Sequence, residues 1–211
     1  MPTFTEEFLL LALSDPQGGF VREPSQRFEH ALAGAILMDL ALLGRIDTDL
    51  DHLLLIDATP TGDPLLDELI ALIRQSPDPR STAYWIGEIR YRIDEFQEGL
   101  VGKLIERGML KREEKKLLGL IPRKRYAVPR GPEALEVRER LRTTVTGGDI
   151  PDPRDVLLIS LLVSCNLLDR LFNREEREKY RERIEQISPM DLIGQAVYKT
   201  ILQEIIVPIS Y

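Results

Sequence analysis

Apolar residues recur at helical spacing along most of the chain, and the interruptions fall where turn residues cluster. Thr3 and Glu6 have capping-box spacing, and Phe8, Leu9, Leu11 and Ala12 follow at helical positions, which predicts a helix to about Leu13. Asp15-Pro16-Gln17-Gly18-Gly19 then breaks it. A second helix fits Gln26 to Leu43, with Leu32, Ile36, Leu40 and Leu43 on one face and Gly44 as its stop. Gly34 and Ala35 leave it thin enough for close approach by another helix. Leu53 to Ile56 reads as a short strand after an Asp-rich loop, and Pro60-Thr61-Gly62-Asp63-Pro64 is turn chemistry ahead of a helix from Leu65 to Arg74.

Helical spacing returns from Tyr84 to Gly108, with a break near Gly87 or Arg90. After Gly108 the period turns extended: Met109 to Lys111, Leu117 to Ile121 and Arg123 to Val128 predict two strands closing a hairpin. A helix from Glu133 to Arg142 leads to a Thr146-Gly147-Gly148 loop. Asp152 caps a helix with Pro153 at its first position, and Val156 to Leu168 is apolar nearly all round, as in a buried central helix. Asn173 with Glu176 opens a charged, solvent-facing helix to about Gln186, and Ser188-Pro189 opens a last one from Met190 to Val207. The fold class expected is mainly α: one helical domain over residues 1–211 around a buried central helix, with one protruding β-hairpin.

Composition narrows the function. With 43% hydrophobic and 30% charged residues in 211, the chain has material for a core and is not a disordered one. No apolar run approaches the roughly 20 residues of a membrane-spanning helix, and no secretory leader pattern opens the chain, so it reads as soluble and cytoplasmic. Cys165 is the only cysteine, which excludes an internal disulfide and thiolate metal folds. The net charge of −7 argues against a surface coated with nucleic-acid-binding charge. Yet Lys111, Arg112, Lys115, Lys116, Arg123, Lys124, Arg125 and Arg130, against Glu113 and Glu114, make that window locally +6.

Catalytic signatures are missing: there is no nucleophile elbow, metalloprotease helix, phosphate loop or dinucleotide fingerprint. Neither His30 nor His52 is assigned a role, and no catalytic residue, metal or cofactor is expected. Asp47, Asp49 and Asp51 have the opening spacing of a calcium loop, but His52 fills the glycine slot and Ala58 the bidentate glutamate slot, so a solvated loop is expected. Asp63 is read as a helix cap.

The basic hairpin supports three readings. Its apolar side could pack on the core or another subunit. Alternatively, Leu104-Ile105-Glu106-Arg107-Gly108-Met109-Leu110 followed by two strands outlines the end of a winged helix, whose wing touches DNA phosphates, although Asp94, Glu95, Glu98 and Glu106 on the preceding helix would repel them. In the third reading, Leu117, Leu118, Leu120 and Ile121 form an apolar tip flanked by Lys115, Lys116, Arg123, Lys124 and Arg125, suited to an anionic membrane surface.

Several blocks together resemble the Golgi phosphoprotein 3 family of peripheral membrane proteins. They are Thr5-Glu6-Glu7-Phe8-Leu9-Leu10-Leu11-Ala12-Leu13, Leu32 to Ile46 ending Gly44-Arg45-Ile46, Pro60-Thr61-Gly62-Asp63-Pro64-Leu65-Leu66-Asp67, Trp85-Ile86, and Leu104 to Leu110. The resemblance implies a mostly helical domain with a protruding hairpin, binding to phosphatidylinositol 4-phosphate, tethering of glycosyltransferase tails in the Golgi, self-association through the hairpin, and no catalysis. It makes Leu117, Leu118, Leu120, Ile121, Arg123, Lys124 and Arg125 the membrane and oligomer element. Its partners would be anionic lipid headgroups, a second copy of the chain and an unidentified protein, with nucleic acid disfavoured.

The family's headgroup pocket uses a tryptophan, an arginine on the second helix and two arginines three residues apart before the hairpin. The aligned positions here hold Pro24, Ala33, Asp94 and Gln97, which do not match in type. Convergent guanidinium forks are what a phosphate needs, so anionic docking is expected in place of specific phosphoinositide capture. Arg22, Arg27, Arg90 and Arg92 lie nearby as candidate substitutes. The short stretch ahead of the first helix suggests a prokaryotic relative acting from the cytoplasmic face of a membrane.

Overall fold

The computed structural model of the chain describes residues 2–13, 26–49, 51–117, 121–127, 132–188, 195, 196 and 199. Helix α1 (Phe4–Leu13) is buried at every position, including Thr5, Glu6 and Glu7. Its N-terminus is capped twice. Thr3 Oγ1 accepts from the Glu6 amide at 3.2 Å while Glu6 accepts from the Thr3 amide at 2.8 Å, the reciprocal box expected from the sequence. Asp39, from the next helix, accepts from the Phe4 and Thr5 amides at 2.8 and 3.0 Å. That carboxylate satisfies donors a buried helix end would otherwise leave orphaned.

Helix α2 (Gln26–Leu42) packs on α1 through Phe8 and Phe28, stacked at 5.8 Å, and buries Ala31, Ala33, Gly34 and Ala35 along its thin side. It ends as Gly44 predicts: φ is +66, the Gly44 amide donates to Ala41 and the Arg45 amide to Leu40. The following segment departs from the sequence reading. Ile46–Thr48 is strand β1, paired antiparallel with β2 (Leu53–Leu55), where the sequence pattern predicts a plain loop before one strand. A three-residue strand with two polar members carries no alternation to detect. Asp49 closes the turn by accepting from the Asp51 and His52 amides, so this acidic run is hairpin chemistry.

Helix α3 (Pro64–Gln75) starts at Asp63, whose side chain accepts from the Leu65 amide, and buries Leu66, Leu69, Ile70 and Ile73. Helices α4 (Thr82–Tyr91) and α5 (Ile93–Glu106) meet at Arg92, two residues past the expected break, and Gly87 lies inside α4. Another positive-φ glycine, Gly108 at +71, ends α5 and directs the chain into β3 (Lys111–Leu117), which pairs with β4 (Ile121–Ala127). The first strand thus runs further than the apolar positions suggest, because the charged stretch 112–116 is itself extended.

Helix α6 (Pro132–Thr146) runs one turn beyond the expected end, burying Val137, Leu141 and Val145 at every fourth position. Helix α7 (Pro153–Ser164), capped by Asp152, is the predicted buried helix, and it shares the centre with α1 and α2. It ends at Ser164, four residues short of the expected Leu168: Cys165 is its C-cap, and Asn166, with φ of 60, turns the chain into a 3-10 turn at Leu168–Arg170. The charged segment after Asn173 is two helices, α8 (Arg174–Lys179) and α9 (Arg181–Ile187), broken at Tyr180, whose ring packs 6.0 Å from that of Phe172. Ile184 and Ile187 are buried, so α9 is not wholly solvent-facing as expected. The break at 15–19 and the helix expected from Met190 to Val207 lie outside the described residues, apart from helical positions 195, 196 and 199. Buried apolar residues from α1 to α9 form one continuous core.

Candidate functional site

Leu104, Ile105 and the glycine turn at 108 set where the basic hairpin leaves the core, with Leu110 still 1% exposed at its base. Beyond it, register places Arg112 opposite Tyr126, Glu113 opposite Arg125 and Glu114 opposite Lys124. Towards the distal end Lys115 faces Arg123, Lys116 faces Pro122, and Leu117 and Ile121 close the ladder. At about 3.3 Å per residue the seven-residue strands reach some 20 Å. Among the described residues, β3 and β4 contact each other far more than any other element. Leu118 and Leu120 lie outside the described residues.

The headgroup positions are scattered. Pro24 and Arg22 lie outside the described residues. Ala33 sits two turns inside α2 at 0% exposure, and Asp94 and Gln97 lie one turn apart at the start of α5, the first exposed and the second half-buried. Of the substitutes, Arg27 is exposed on the first turn of α2. Arg90 Nη2 lies 3.5 Å from Glu29 of α2, tying α4 to it. Arg92 pairs with Glu68 of α3 at 2.7 Å and Glu95 at 2.6 Å, and these carboxylates raise its already high pKa. An incoming phosphate would have to compete with them. The helix before the hairpin exposes Asp94, Glu95, Glu98 and Glu106, so nothing here supports its use as a DNA-reading helix.

The blocks that carry the family resemblance are scaffold. Glu7, 1% exposed, accepts from Arg140 at 3.1 and 3.3 Å and from Arg154 at 2.9 Å, and Arg140 also donates to Asp155 at 2.7 Å. Burial disfavours the Arg140 cation, but Glu7 and Asp155 outweigh it and hold the pKa up. Arg107 donates to Glu6 at 2.5 Å. In the Pro-Thr-Gly-Asp block, Thr61 donates its amide and hydroxyl to Asp67, which lowers that carboxyl's pKa, and Lys103 reaches Asp63 at 2.5 Å. Arg45 pairs with Asp57. Partners more than a hundred residues apart leave no local trace, and the sole hint is a Glu-Glu pair opening an otherwise apolar helix.

His30 is fully buried, its Nδ1 2.7 Å from the Gln26 carbonyl, consistent with a packing residue. Burial pushes the Cys165 thiol up to about 12, which makes it a poor nucleophile. No cluster of metal-ligating side chains, and no helix long and apolar enough to cross a membrane, occurs among the described residues.

The sequence profile of Golgi phosphoprotein 3 (GPP34) matches residues 4–203. Vacuolar protein sorting-associated protein 74 of Eremothecium gossypii is 32% identical over 137 residues, covering 54% of this chain and 41% of that protein. The protein of the same name from Schizosaccharomyces pombe is 34% identical over 137 residues, covering 55% and 40%. The chain thus spans about two fifths of the length of the curated relatives it matches. The profile match runs from the first residue of α1 past the end of α9, through each of the scaffold blocks above, and on that ground the chain belongs to the Golgi phosphoprotein 3 family.

Proposed function

We propose that the protein is a non-enzymatic peripheral membrane adaptor, docking from the cytoplasm on anionic lipid, and on a second copy of itself, through the β3–β4 hairpin. The observation that carries this reading is the register, which sets Leu117 and Ile121 at the distal end with Lys115 and Arg123 just behind them. Apolar residues can enter the interface while cations meet headgroups, each cation contributing about 1 kcal/mol near an anionic surface. Family membership and relatives named for protein sorting fit an adaptor that gathers cargo at a membrane. Its lipid preference is for negative charge in general, because Ala33, Asp94 and Gln97 occupy the family's arginine positions.

Flotation with vesicles of neutral lipid, with phosphatidylserine and with phosphatidylinositol 4-phosphate tests this. Both anionic vesicles should recruit the protein, more weakly at high salt, and Leu118→Asp with Leu120→Asp should abolish recruitment and lower the oligomeric mass in light scattering. Recruitment by the phosphoinositide alone would instead mean that Arg22, Arg27, Arg90 or Arg92 rebuilds a pocket. Unchanged flotation and mass in the double variant would remove the hairpin from the account.

A further inference from the structure

An open groove of roughly 300 Å³ lies between β2, the end of α3 and the 76–81 segment, away from the hairpin in sequence and lined in part by Leu53, Leu55, Ile73, Arg74, Arg80 and Trp85. One wall is a sheet edge. The Ile56 amide bonds the Arg45 carbonyl and the Asp49 amide bonds that of His52, which fixes the phase of the β1–β2 ladder. Bonded pairs alternate in an antiparallel ladder, so Leu53 and Leu55 turn their N–H and C=O groups away from β1. The Leu53 amide is met by the Arg80 carbonyl at 2.8 Å, in an isolated bridge. Continued by two residues, that bridge would set Asp78 against Leu55, but Pro77 and Pro79 flank it and the bridge stays isolated. The outward N–H and C=O of Leu55 have no backbone partner among the described residues.

Two further features point to an occupant. Trp85, 4% exposed, lines the groove beside Ile73 and gives it an apolar wall. Arg74 and Arg80 are exposed, form no ion pair among the described residues, and outnumber the one lining carboxylate, Asp78.

We propose that this groove docks an extended acidic peptide of a partner protein, which adds to β2 as a strand at Leu55, seats an apolar side chain against Ile73 and Trp85, and sets carboxylates toward Arg74 and Arg80. Main-chain bonds to an open edge supply affinity in such binding, and flanking charge supplies selectivity. The inference rests on the adaptor reading and names the chemistry of the cargo.

Trp85 is the only tryptophan, so intrinsic fluorescence of the full chain reads the groove directly. Titration with an acetylated decapeptide of alternating valine and glutamate should shift the emission. The lysine counterpart, and a version N-methylated at its central residues, should bind at least about tenfold more weakly. Arg74→Glu with Arg80→Glu, at exposed positions and with unchanged circular dichroism, should weaken the glutamate peptide about tenfold as well. No emission change up to about 1 mM peptide, equal binding of both charge types, or indifference to the double variant would overturn the proposal. So would a dimer that the double variant abolishes, since a second copy would then own the edge. Vesicle flotation should be the same with and without the groove substitutions, so failure here leaves the hairpin reading standing, and failure of flotation leaves the peptide titration interpretable.

Discussion

Glu7 places one carboxylate, 1% exposed, between the guanidiniums of Arg140 and Arg154, which are each about a quarter to a third exposed. Removing a buried partner strands the charges left behind, so Glu7→Gln should cost about 3 kcal/mol and lower Tm by roughly 8 °C in calorimetry. Glu178→Gln, which removes the exposed pair with Arg181, should leave Tm within about 1 °C. Glu176 carries a pH dependence. The Arg142 guanidinium, and then the Asn173 amide, hold its carboxyl below the ordinary 4.5. A depressed folded-state value means stability that is present above 4.5 and lost as pH falls through the folded value. Melting curves of Glu176→Gln should therefore lie below wild type at neutral pH and converge with it on acidification.

At the scale of elements, two glycines near one helix end should respond in opposite directions to alanine. Gly108 closes α5 at φ +71 with open space where a Cβ would sit, so Gly108→Ala costs only backbone strain, about 1 kcal/mol, and should also loosen the exit angle of β3. Gly102, inside α5 and equally uncrowded, should gain up to about 1 kcal/mol as alanine. Urea melts of the two variants check the pair. The same elements explain how much is legible locally. Caps at Thr3, Asp63, Asp152 and Asn173 and the stop at Gly44 are readable because each is contained within four or five residues. Strand β1 and the break at Tyr180 are not, because a three-residue strand has no period and Tyr180 leaves the helix to meet Phe172, a tertiary contact.

The whole molecule separates its charge. The window from Lys111 to Arg130 is +6 within a chain of −7, so in the proposed docking an anionic surface would attract the hairpin and repel the remainder. Replacing two cations, Arg123→Glu with Lys124→Glu, should weaken binding to phosphatidylserine vesicles by at least about thirtyfold at low salt, with Tm unchanged. A loss of Tm with no loss of binding would assign those cations to the fold.

Periodicity, caps and charge by themselves determined a mainly helical chain, a buried helix after Asp152, and a basic hairpin after Gly108, because those features are set by neighbours a few residues apart. Tertiary structure alone decided that Ala33 is sealed in the core, that Arg90 and Arg92 are engaged by Glu29, Glu68 and Glu95, and that Leu55, Trp85 and two cations frame one groove. Burial and ion pairing depend on which distant segments meet, and that is a property of the packed chain rather than of any stretch of it.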